Sequence, residues 1–90
     1  MLYEIELKNY SFLDNNTLFI ELGEEKRILD DGSVVIDCIT AEKHLDESKD
    51  HIIVEVLEYN EFGEYLDKEV ITDENVVNKA KKIAEQILNK

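Results

Sequence analysis

The sequence predicts an α+β fold, an antiparallel sheet of five or six short strands (a meander of hairpins) with one C-terminal amphipathic helix packed on one face. Three observations predict it. Short runs alternate apolar and polar residues, which is the period of a half-buried strand. Two tight turns contain Gly32 and Gly63 in a chain without proline, as expected of a meander. Beyond residue 72 the apolar spacing becomes that of a helix. A chain of 90 residues is expected to form one domain, with strands over 1–71 and the helix over 73–89.

The first expected strand covers residues 2–8, where Tyr3, Ile5 and Leu7 alternate with Glu4, Glu6 and Lys8. Tyr10 and Phe12 follow, and Asp14-Asn15-Asn16 supplies a turn. Residues 17–22 form a second, nearly all-apolar strand ending at Gly23. Residues 25–29 and 33–40 flank Asp31-Gly32, the strongest hairpin signal in the chain. A two-residue loop there pairs Leu29 with Val34, Ile28 with Val35 and Lys26 with Asp37, so the mid-strand carboxylate meets a cation.

Residues 41–50 are polar and charged, and read equally well as a short helix or a loop. Residues 51–59 are the most β-prone stretch, turned by Asn60-Glu61-Phe62-Gly63 into a strand over 64–71. Pairing Tyr59 with Glu64 sets Leu57 opposite Leu66, Glu55 opposite Lys68 and Ile53 opposite Val70. In the last segment Val76, Val77, Ala80, Ile83, Ala84, Ile87 and Leu88 make one apolar stripe. Thr72 or Asp73 stands where a cap is needed.

Twenty-two Asp and Glu against ten Lys and Arg give a net charge of −12, while 43% of the residues are hydrophobic. That apolar content argues for a folded core rather than a disordered chain. Strong negative charge argues against nucleic acid or anionic lipid as a direct ligand, because both need neutralising cations. With one cysteine, no apolar run of membrane-spanning length and no signal-peptide pattern at Met1, a soluble cytoplasmic protein is expected. The charge is uneven: residues 1–75 carry −15 and residues 76–90 carry +3.

Residues capable of chemistry do not assemble into a recognisable catalytic pattern. Cys38 shares an apolar strand face with Val34 and Ile36, the setting of a small buried hydrophobe rather than a nucleophile. His44, Asp46, Glu47, Asp50 and His51 lie close together, but the histidines are seven residues apart and lack soft co-ligands. The opening Asp14-Asn15-Asn16 of a calcium-type loop fails because Leu18 and Phe19 stand where an oxygen ligand and glycine belong. The three glycines are isolated, so a phosphate cradle is not expected. No catalytic residue, cofactor or metal is therefore assigned.

The candidate partner-binding residues are acidic groups on strands and turns: Glu4, Glu6, Glu24, Glu25, Asp30, Asp31, Glu58, Glu61, Glu64, Asp67 and Glu69, with Phe62 at a hairpin tip. Alternate carboxylates such as Glu4 and Glu6 project about 6.7 Å apart from one side of a strand, a row suited to occupying cations that normally hold phosphates. The lysines Lys79, Lys81, Lys82 and Lys90 form a basic polar helix face, or a self-association seam against the acidic sheet. Residues 52–57 are apolar on both faces, and one helix covers only one face, so a homodimer is a candidate assembly.

No motif matches a named family. Nine Lys to one Arg, with abundant Ile, Asn and Glu, resembles the product of an AT-rich bacterial or bacteriophage gene. In size, charge and outline the chain is similar to phage-encoded inhibitors of host enzymes, including anti-CRISPR and other anti-defence proteins. That resemblance implies a non-enzymatic acidic inhibitor or modulator docking on a basic surface of a nucleic-acid-handling protein, as a nucleic-acid mimic does. The alternatives are a self-associating structural or accessory protein kept soluble by its acidity, and a metal-binding protein using the His44–His51 segment.

Overall fold

The structure is a computed structural model that describes residues 4–48 and 51–89. Five strands and one helix follow in order: β1 (Asn9–Leu13), β2 (Thr17–Ile28), β3 (Val34–His44), β4 (Ile53–Asn60), β5 (Tyr65–Val70) and α1 (Glu74–Leu88). Each strand pairs antiparallel with the next, giving a five-stranded meander of order β1-β2-β3-β4-β5. The predicted α+β architecture is the one observed. Its extents of 45 × 27 × 19 Å are those of an elongated slab.

Helix α1 begins at Asp73, whose carboxylate accepts a hydrogen bond from the Asn75 N–H at 2.8 Å, the capping role expected of Thr72 or Asp73. Val76, Ala80, Ile83, Ala84 and Ile87 are buried, Val77 packs at the margin, and Leu88 turns outward. The last described turn carries no basic residue, and Lys90 lies outside the described residues. The helix lies over Leu18, Ile20 and Leu22 of β2, Ile39 and Ala41 of β3, and Val54 and Val56 of β4, with Ile5 completing the core. These strand residues share one face because side chains alternate and the registers align them.

Four local expectations are corrected. The N-terminal strand is displaced: among described residues, 4–8 run beside β2 without forming a regular ladder, and β1 occupies 9–13 instead. Glu6 and Lys8 donate backbone N–H bonds to the carbonyls of Leu22 and Glu21, at 3.0 and 2.9 Å. Gly23 permits this approach, since a Cβ there would stand 3.2 Å from the Glu4 carbonyl oxygen. Tyr3 lies outside the described residues.

The segments 17–22 and 25–29 are one strand, not two. Glu21 pairs with Thr40 and Gly23 with Ile39, leaving Leu22 as the extra residue of a β-bulge. The strand bends rather than ends, and Leu22 is fully buried beneath the helix.

Residues 41–44, read as helix or loop, extend β3. Ala41 and Lys43 point into the core face and Glu42 and His44 away from it; Lys43 uses its aliphatic stem and donates its ammonium to the Ser48 carbonyl. Asp50 and Lys49 lie outside the described residues.

Both hairpin registers differ from expectation. The β2–β3 loop has three residues, Asp30-Asp31-Gly32: the Leu29 N–H donates to the Ser33 carbonyl and the Gly32 N–H to the Leu29 carbonyl, both at 2.9 Å. Gly32 has φ +86°, the left-handed residue that closes a three-residue hairpin. Ile28 therefore opposes Val34, and Lys26 opposes Ile36 rather than Asp37. The β4–β5 loop, Glu61-Phe62-Gly63, repeats the device with Gly63 at φ +83°. Tyr59 meets Tyr65 instead of Glu64, and a second bulge at Leu66 sets Leu57 against Lys68 and Glu55 against Val70. Glu55 and Lys68 still meet, diagonally, at 3.7 Å.

Candidate functional site

The core face of the sheet continues beyond the apolar cluster, and there its chemistry changes. Past Leu22, Ile39 and Val56 the next same-face residues are Glu25, Asp37 and Glu58. Glu25 pairs with Asp37, Asp37 with Glu58, and Glu58 with Asp67. Four carboxylates thus cross four strands in one row, roughly 14 Å long at about 4.8 Å per strand. Glu69, two residues along β5, adds a fifth to the same face.

Like charges placed directly opposite repel. Arg27, diagonal to Asp37, offsets this: its Nε donates to Asp37 Oδ2 at 2.6 Å, and its Nη2 donates to Asp37 Oδ1 at 3.1 Å and Glu58 Oε1 at 3.3 Å. The fork holds Asp37, which is only 3% exposed, while Glu25 and Glu58 are half-buried and Asp67 and Glu69 are exposed. The row is anchored at its buried member and open at its β5 end.

The two hairpin tips stand side by side at the same end of the slab, because Val35 pairs with Asn60. They bring Asp30, Asp31, Glu61 and Glu64, all exposed, next to the row. Asp31 accepts from the Ser33 N–H at 2.9 Å and its hydroxyl at 2.6 Å, and these bonds hold its carboxyl below the usual range. Asn60 Oδ1 accepts from the Phe62 and Glu64 N–H groups, fixing the second tip. Phe62 is 78% exposed and projects from the turn instead of folding back on the sheet.

Of the candidate residues, the fold thus gathers Glu25, Glu58 and Asp67 into one row, with Glu69 next to it on β5 and Asp30, Asp31, Glu61, Phe62 and Glu64 beside it. Glu4 and Glu6 lie off the β2 end of this row, where they line a groove with Lys8, Gly23, Lys79, Glu24 and the row's own Glu25. Glu6 bonds Lys8, which holds its carboxyl low. Glu24 projects from the opposite face, beside Cys38. Sequence reasoning missed Arg27 and Asp37 as members. A carboxylate inside an apolar strand was a visible signal for Asp37, but the expected register gave it Lys26 as partner.

The face away from the helix carries a shallow depression of about 570 Å³, lined by Phe19, Glu21, Glu24, Cys38, Leu57 and Tyr59 among others. The Cys38 thiol is pushed above its ordinary value, first by burial and then by the charges of Glu24, Glu21 and Asp37. Such a thiol is unactivated as a nucleophile. His44 Nδ1 lies 3.2 Å from Thr17 Oγ1, and His51 Nε2 lies 2.9 Å from Glu47. Among the described residues no three His, Cys, Asp or Glu side chains are grouped to hold a metal, and no helix is long and apolar enough to cross a membrane.

Compared with protein-family models, curated proteins and solved structures, the chain matches none.

Proposed function

We propose that this chain is a non-enzymatic binding protein that docks its acidic sheet end onto a basic protein surface, of the kind that nucleic-acid-handling proteins present to phosphates. The observation that carries this reading is the row Glu25, Asp37, Glu58 and Asp67, continued by Glu69 and by the carboxylates of both hairpin tips. Fixed carboxylates on paired strands are organised before binding, so less ordering entropy opposes association. Dense negative charge also steers a cationic partner at long range. Exposed Phe62 adds an apolar anchor at the margin of the charged field. An inhibitor or anti-defence modulator acting as a nucleic-acid mimic is the form of this function that the small, acidic composition favours.

Affinity capture with the full chain tests the reading. Proteins with nucleic-acid-binding surfaces should be retained at low salt and released as ionic strength rises from 50 to 500 mM, a range of about tenfold in which screened contacts collapse. The double variant Asp67→Lys/Glu69→Lys should lose them, whereas Glu47→Lys, in the turn after β3, should not. Retention insensitive to salt and to both row substitutions would overturn the proposal.

A further inference from the structure

We infer that the sheet face opposite the helix is covered by a second copy of this chain, the two sheets packing face to face about a two-fold axis parallel to the strands. The inference is independent of the acidic docking surface, which lies on the other face. The registers define two adjacent rows on the open face. Lys26, Ile36, Tyr59 and Tyr65 form the first, and Glu24, Cys38, Leu57 and Lys68 the second. Next along the strands toward the tip, Ile28, 73% exposed, pairs with Val34.

A two-fold axis running between β3 and β4 lays β2 of one copy over β5 of the other and β3 over β4, while each row stays over itself. Ile36 then faces Tyr59 and Cys38 faces Leu57, in both directions. At the margins Glu24 faces Lys68, and Lys26 faces the ring of Tyr65. Within the described residues Glu24 and Lys26 make no ion pair, and Lys68 reaches Glu55 only at 3.7 Å. Within these two rows the patch therefore matches itself in both shape class and charge; in the next row the same axis sets Glu55 over Thr40 and Glu21 over Val70. A β5-to-β5 edge pairing does not have this property, because a two-fold perpendicular to the sheet brings the Asp67 and Glu69 faces together. Aligned packing of two sheets about 10 Å apart buries such alternating faces well.

Light scattering coupled to size exclusion, from micromolar to near-millimolar chain, should show a species of twice 10.5 kDa that dissociates on dilution. Reaction of Cys38, the only thiol, with a thiol reagent should slow as the dimer fills. Glu24→Lys and Lys68→Glu should each weaken association about tenfold by setting like charges against each other, and the double exchange should restore it. Circular dichroism establishes that each variant is folded. A monomer at every concentration, or a dimer unmoved by the single exchanges, would overturn the inference. So would a double exchange as weak as the singles.

Discussion

Arg27 sits where two opposed carboxylates need a shared cation, and the value of this residue lies in what its loss would strand. Asp37 is almost fully buried, and its neighbours across the sheet are Glu25 and Glu58. Removing one partner of a buried pair typically costs about 3–5 kcal/mol. The Arg27 side chain is itself 37% exposed, so water reaches part of the pair; an Arg27→Met variant should lose a smaller amount, about 2–3 kcal/mol. Arg27→Lys should recover only part of this, because an ammonium cannot form the planar fork that binds both carboxylates. Urea denaturation of the three proteins checks the order wild type, Lys, Met; an Arg27→Met protein as stable as wild type would exclude the bridge as a stabilising contact.

At the scale of elements, two bulges and two three-residue loops decide which side chains share a face. Leu22 as an extra residue shifts the phase of β2, so that Glu25 and Arg27 follow the core face in place of Glu24 and Lys26. Leu66 does the same on β5 and sets Asp67 opposite Glu58. The loops depend on left-handed glycines, where a Cβ is penalised by roughly 1–2 kcal/mol. Gly32→Ala and Gly63→Ala should therefore each destabilise by about that amount although neither position is crowded. Thermal melts check this, and unchanged midpoints would show that the loops relax to another turn. The Asp31-Gly32 pair announced a hairpin correctly, but it is equally the end of the three-residue loop Asp30-Asp31-Gly32. That difference of one residue exchanged Lys26 for Arg27 on the face of Asp37, since a slip of one residue inverts every side chain of a strand.

Across the whole molecule, charge is concentrated by end. The helix-side overhang and the tips gather carboxylates, whereas on the open face Glu21, Glu24, Glu42 and Glu55 are interspersed with Lys26, Lys68 and an apolar centre. A folded chain of net charge −12 repels itself more strongly than its expanded state does. Raising sodium chloride from low to near-molar concentration should screen this repulsion and raise the melting temperature. A gain of about 1 kcal/mol corresponds to roughly 4–8 °C for a domain of this size. A melting point that falls with salt would mean that attractive pairs such as Arg27–Asp37 outweigh the repulsion.

The sequence by itself determined the class of fold, the C-terminal helix with a cap at Thr72 or Asp73, and the turns around Asp14-Asn15-Asn16, Asp31-Gly32 and Asn60-Glu61-Phe62-Gly63. Those features depend on local periodicity and on residue types with local preferences, both of which are written along the chain. It also located the acidity on strands and turns. Only the tertiary structure decided that Glu25, Asp37, Glu58 and Asp67 form a row, that Arg27 bridges it, and that both hairpin tips stand beside it. Register and bulges set those juxtapositions, and they follow from how Leu22 is buried under the helix and how neighbouring strands close their ladders. A side chain's face on a strand has a period of two, so one unpaired residue is enough to reverse it.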